Sequence, residues 1–219
     1  MILRRSFLSS LGAAIALQPP TLPAQIPGAQ PWQPARHAED DWLDKIPGKH
    51  RLVFDTTAPD GLGAALLYSN NFLDTNKNAY GLDYADVALV LVMRHNSTSF
   101  AFNDSMWSKY GSVFSRRANF TDPKTKEPPS ANLYFSNAAG LSSNGMTIES
   151  IVKRGGHLAV CRLATRNLAG LIATATGSQA DKINEELIAN VVPNAHMVPA
   201  GIVALSRAQE RGYTFAHGV

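Results

Sequence analysis

A single cysteine, Cys161, stands where the apolar run His157-Leu-Ala-Val gives way to a helical pattern, within the stretch KRGGHLAVCRLATRNLAG over residues 153–170. The thiolate is the nucleophilic form of cysteine, and a helix N-terminus with cations nearby is where that form is favoured. Arg162 and Arg166 follow closely, so Cys161 is the first candidate for chemistry, with the two arginines as stabilisers of its thiolate. The competing reading is a buried thiol that serves only as a small apolar side chain. One cysteine cannot close an internal disulfide.

A second set of reactive types follows the apolar run DVALVLVM at residues 86–93. Arg94 offers a positive charge for a ligand and His95 a proton shuttle or a metal-binding imidazole. Thr56, at the end of the first apolar run, is a further ligand-binding candidate. Lys153 and Arg154 precede the cysteine segment and add positive charge to it. Solvated surface is the plainer reading of each cation. The histidines show no HExxH spacing, one cysteine excludes CxxC and CxxCH, and neither GxxxxGK[ST] nor GxSxG occurs. No metal or cofactor is expected. Gly61-Leu-Gly63-Ala-Ala-Leu66 matches only the start of a dinucleotide fingerprint, because Leu66 replaces the third glycine; a tight strand-to-helix connection accounts for it.

These residues need elements to position them. Apolar runs at 50–57, 86–93, 157–161, 195–198 and 213–217 read as strands, the second apolar on both faces as in a covered parallel sheet. Helical patterns occupy 61–78 with Asp60 as cap, 104–110, 147–154, 164–175, and 178–189 from a capping box of Ser178 and Asp181. A last helix has Pro199 at its first position and Ile202, Leu205 and Ala208 on its inner face. Strands alternating with helices predict one α/β domain over residues 50–219, a three-layer sandwich on a largely parallel sheet of about five strands. Ligands in such folds gather at strand carboxyl ends, where Thr56, Arg94, His95 and Cys161 all fall. Residues 115–145, rich in Pro, Ser, Asn and Gly, interrupt the rhythm. They read either as disordered or, from Leu133-Tyr134-Phe135, as a lid or subunit contact.

The start of the chain carries Arg4-Arg5, a weakly apolar stretch and a small-residue site after Ala24. This reads as a twin-arginine export signal over residues 1–24, with an ordinary secretory signal as the alternative; both place the protein outside the cytoplasm, in the periplasm or beyond. A proline-rich tether follows over residues 25–49, with a short helix near 38–45 that docks through Trp42 and Leu43. Loss of residues 1–24 leaves 18 Lys and Arg against 17 Asp and Glu. Such a near-neutral domain lacks the basic surface that a nucleic-acid partner demands. No run of about 18 apolar residues suits a membrane span.

The segment His157-Leu-Ala-Val-Cys161-Arg-Leu-Ala-Thr-Arg166 and the ending Val198-Pro-Ala-Gly201 through Gln209, Gly212 and Tyr213 resemble the DsrE/DsrF-like proteins of sulfur relay. The Arg94-His95 pair with Asn103-Asp104-Ser-Met-Trp107 is similar to an exported branch of that family. The resemblance implies a DsrE-like fold that forms homo- or hetero-oligomers, and a role for Cys161 in accepting persulfide sulfur from one protein and passing it to another. Arg162, Arg166 and His95 would stabilise the thiolate. A non-catalytic module of the cell envelope, binding a small ligand or making an oligomeric assembly, is the second expectation.

Overall fold

The computed structural model describes residues 32–218, and the folded unit begins at Ala35; the expected export signal lies outside the described residues. Short apolar runs, too brief for helices and rich in β-branched residues, form five parallel strands. In chain order the elements are α1 (Trp42–Lys45), β1 (His50–Thr56), α2 (Pro59–Tyr80), β2 (Val87–Met93), α3 (Asp104–Ala118), α4 (Leu133–Ser136), α5 (Ile148–Val152), β3 (His157–Cys161), α6 (Arg162–Thr176), α7 (Ala180–Ala189), β4 (Ala195–Val198), α8 (Gly201–Gln209) and β5 (Thr214–His217). The sheet order is β4-β3-β2-β1-β5 and every pairing is parallel. No helix among the described residues is long and apolar enough to cross a membrane.

Alternation along the strands divides the interior into two cores. Phe54, Leu89, Leu91, Met93, Leu158 and Val160 face α2, α3, α6 and α7. Val53, Val90, Val92, Ala159 and Val198 face α8 and the segment around Leu43. The sheet is thus the middle of three layers, as its sequence predicts. From β1 to β4 the chain steps steadily across the sheet with its helices on one face. The β4-to-β5 connection returns past β1, and a constant crossover hand then requires α8 to lie on the other face.

Several boundaries differ from the sequence reading, each for a local reason. Pro59 occupies the first turn of α2 with Ala58 at the cap, so Asp60 lies inside the helix. Similarly, α7 begins after Gln179 with no side-chain cap from Ser178. Pro199 precedes α8, whose cap is Ala200, and the inner face is Gly201, Ala204, Leu205 and Ala208; Ile202 points outward, 61% exposed. α3 continues to Ala118, where Asn119 in the left-handed conformation ends it, so the loop begins later than residue 115.

That loop is ordered on the body of the domain. Tyr134 is fully buried against Phe100 and Phe120, and Asn132 donates to the carbonyls of Phe100 and Phe102 at 2.8 Å each. Ser142 and Ser143 press on α2 at Gly63, where a Cβ would lie 2.0 Å from Ser142 Oγ. The middle residue of the apolar trio fills the domain's own core, while Leu133 and Phe135 on either side of it stay half-buried. The absence of Cβ at Gly63 serves this contact.

The docking helix of the tether is present as α1. Leu43 is buried, Arg51 donates to the carbonyls of Leu43, Ile46 and Gly48, and Tyr213 Oη donates to Leu43 at 3.0 Å. Trp42 stacks on His196 with ring centroids 4.1 Å apart, and His196 Nε2 meets His157 Nδ1 at 3.0 Å. Burial holds His157 below the usual imidazole range; burial and then the facing His157 push His196 down to about 4. Histidines kept neutral by folding contribute stability that is complete above about pH 6.5 and is lost as the pH falls through the folded value. In thermal melts, the wild type should therefore lose stability relative to His196→Phe between about pH 7 and about pH 4; parallel curves would show that the pair does not couple to folding.

Candidate functional site

Adjacent parallel strands whose following helices lie on opposite faces leave a crevice between them at their carboxyl ends. β3 leads into α6 on one face and β4 leads to α8 on the other, and Cys161 pairs in register with Val198. A cleft of about 330 Å³ opens at this switch point, lined by Cys161, Arg94, His95, Arg117, Asn167 and Gly201 among others. Cys161 is 6% exposed. Its side chain follows the pleat of Ala159, toward α8 rather than α6.

Two helix N-termini converge here. Cys161 is the N-cap of α6, and Ala200, Gly201 and Ile202 open α8 against the same cleft. Their unpaired N–H groups and dipoles favour negative charge. Behind the cleft, Arg94 Nε and Nη2 donate to the two Asp55 carboxylate oxygens at 2.7 Å each. The Asp55 hydrogen bond holds the Arg94 guanidinium above its ordinary range; burial opposes this, and the charges of Asp55 and Cys161 add to it. His217 Nδ1 lies 3.5 Å from the same carboxylate. α8 rests directly on this arginine: a Cβ on Gly201 would lie 2.7 Å from Arg94 Cβ.

Of the residues singled out in the sequence, the structure brings Cys161, Arg94 and His95 to one cleft. His95 is exposed at its lip with φ 57°, in the left-handed region. Arg162 and Arg166 share another side of α6 and do not line it; Arg166 is exposed, and Arg162 Nε is buried without a partner. Thr56 is fully buried, its hydroxyl 2.8 Å from the Val92 carbonyl and 2.9 Å from Ser97 Oγ. Ser97 in turn accepts from Arg94 N–H at 3.1 Å. Thr56 therefore fixes the loop that carries Arg94 and His95 and does not face the cleft.

Three contributors escaped the sequence reading. Asp55 is the only acid in β1, and its isolation in an apolar run is the signal that could have found it. Arg117 sits in the last turn of α3, beyond the point where the proline-rich loop seemed to begin. Gly201 belongs to the Pro-x-Gly ending, but only the crossing of Arg94 beneath α8 explains it. The chain matches no protein-family model, and the comparisons with curated proteins and with solved structures found no match. Gly201→Ala should cost about 1–3 kcal/mol through overpacking against Arg94, read as a lowered denaturation midpoint with an unchanged slope.

Proposed function

We propose that this chain is an exported DsrE-like protein whose Cys161 carries sulfur as a persulfide. The observation that supports this best is the position of Cys161 in the switch-point cleft, between two helix N-termini and beside Arg94. The Cys161 thiolate attacks the terminal sulfur of a donor persulfide. A Cys161–sulfur bond forms, the donor's own sulfur–sulfur bond breaks, and the donor leaves as its thiolate with no net oxidation. The helix N-termini and cations then hold the terminal persulfide anion until an acceptor thiolate takes the sulfur by the same exchange. In this reading His95, at the lip, gives a proton to the departing thiolate.

Leu163 and Ile202 stand at the two lips of the cleft, 58% and 61% exposed. Apolar groups there favour docking of another protein, either a donor or acceptor or a second copy of the chain. This observation also supports the second reading, a non-catalytic module of an envelope assembly. The two readings separate on the thiol: a carrier loses its sulfur with Cys161→Ser, whereas an assembly module keeps its partners.

Mass spectrometry after incubation with a persulfide donor should show one added sulfur atom on Cys161, and alkylation should be faster than in the denatured chain. Labelling no faster than in the denatured chain, with no sulfur adduct at any pH, would sink the carrier function. Replacing Arg4 and Arg5 together by lysine should strand the protein in the cytoplasm, as fractionation would show; unchanged export would point to the ordinary secretory route.

A further inference from the structure

Two neighbouring hollows share one arginine. Arg117 lines the Cys161 cleft and also a groove of about 370 Å³ between α3 and α6. The groove has apolar walls of Val113, Leu171 and Ala175, with Arg116 at its edge. Neither hollow has an Asp or Glu among its lining residues.

Arg117 is half-buried, and one of its N–H groups donates to Asn96 Oδ1. Among the described residues it has no carboxylate partner. Its situation differs from that of Arg94, Arg154, Arg207 and Arg211, each of which is paired with an acid. A guanidinium partly stripped of water and lacking a counter-charge is an unfilled half of an ion pair. Its fork has N–H groups left for a carboxylate once Asn96 is served. From Leu163 to Leu171 the two hollows run about 12 Å along α6, at 1.5 Å per residue, the reach of a small organic molecule.

We propose that Arg117 binds the carboxylate of a small organic persulfide, whose terminal sulfur lies against Cys161 and whose apolar part enters the groove between α3 and α6. This assignment rests on Cys161 as the sulfur-bearing group and names the class of donor it meets. Transfer balances as before: the donor's terminal sulfur moves to Cys161, and the carboxylate-bearing thiolate departs with the electrons of the broken bond.

The test compares alkylation of Cys161 in the full chain by iodoacetate, an anion, and iodoacetamide, its neutral analogue. The iodoacetate-to-iodoacetamide rate ratio should exceed that of the denatured chain by about three- to tenfold at low salt, and fall toward it at molar salt, where charges are screened within about 3 Å. Arg117→Gln keeps a side-chain donor for Asn96 but removes the charge, and should lower the ratio about threefold or more toward the denatured value, the helix N-termini accounting for what remains; Arg116→Gln should lower it less. A raised ratio that Arg117→Gln leaves unchanged, or a wild-type ratio equal to that of the denatured chain, overturns the proposal. Should neither reagent label native Cys161, the carrier function itself falls, and the anion site is read separately from melting temperatures with hexanoate and with hexanol. A rise with hexanoate alone that Arg117→Gln abolishes upholds the site, and equal responses to the two overturn it.

Discussion

Arg94 and Asp55 form the contact around which the carboxyl end of the sheet is assembled. Asp55 projects from β1 on the face that α8 covers, where an unpaired carboxylate would be costly to bury. Arg94 crosses from the end of β2 to meet it with two parallel hydrogen bonds. That crossing raises the floor beneath α8, and only a residue without Cβ lets the helix begin there. The pair therefore sets where α8 starts, and so where its N–H groups point relative to Cys161.

Topology supplies the remainder of the arrangement. A chain that steps four strands in one direction and then returns must place one helix on the opposite face, and the point of reversal leaves β3 and β4 with their following helices splayed apart. Cys161 is the last residue of β3, so it lies in the crevice this creates. Its neighbourhood is made by backbone dipoles and by residues from four segments: the 94–97 loop, the end of α3, the start of α6 and the start of α8. The loop is pinned by a hydroxyl pair, Thr56 and Ser97, and by backbone bonds from Arg94, Asn96 and Ser97 to Thr56 and Thr57.

The strands and the three-layer architecture were legible because apolar runs of strand length alternate with helical periodicity. The fourth strand was placed at its observed bounds, and the third as well. Candidate residues at strand ends were legible for the same reason, since strand direction fixes which rim they reach. What sequence could not resolve was side-chain direction at that rim. Arg162 and Arg166 are near Cys161 along the chain, yet lie on another side of the helix. Arg117 lies 44 positions upstream of Cys161 and lines the same cleft. Composition misled in the loop after α3: its Pro, Ser and Asn suggested an excursion, whereas Asn132 and Tyr134 are spent on the core's own carbonyls and aromatic rings.

His95 carries a consequence of its own. A side chain in the left-handed region costs roughly 1–2 kcal/mol that glycine would avoid, although histidine tolerates it better than most residues. The backbone there is held by the bonds around Ser97, and glycine would adopt it without the steric cost. The chain nevertheless keeps an imidazole, exposed and outside the core. The ring stands at the lip of the cleft that holds Cys161, open to whatever enters there.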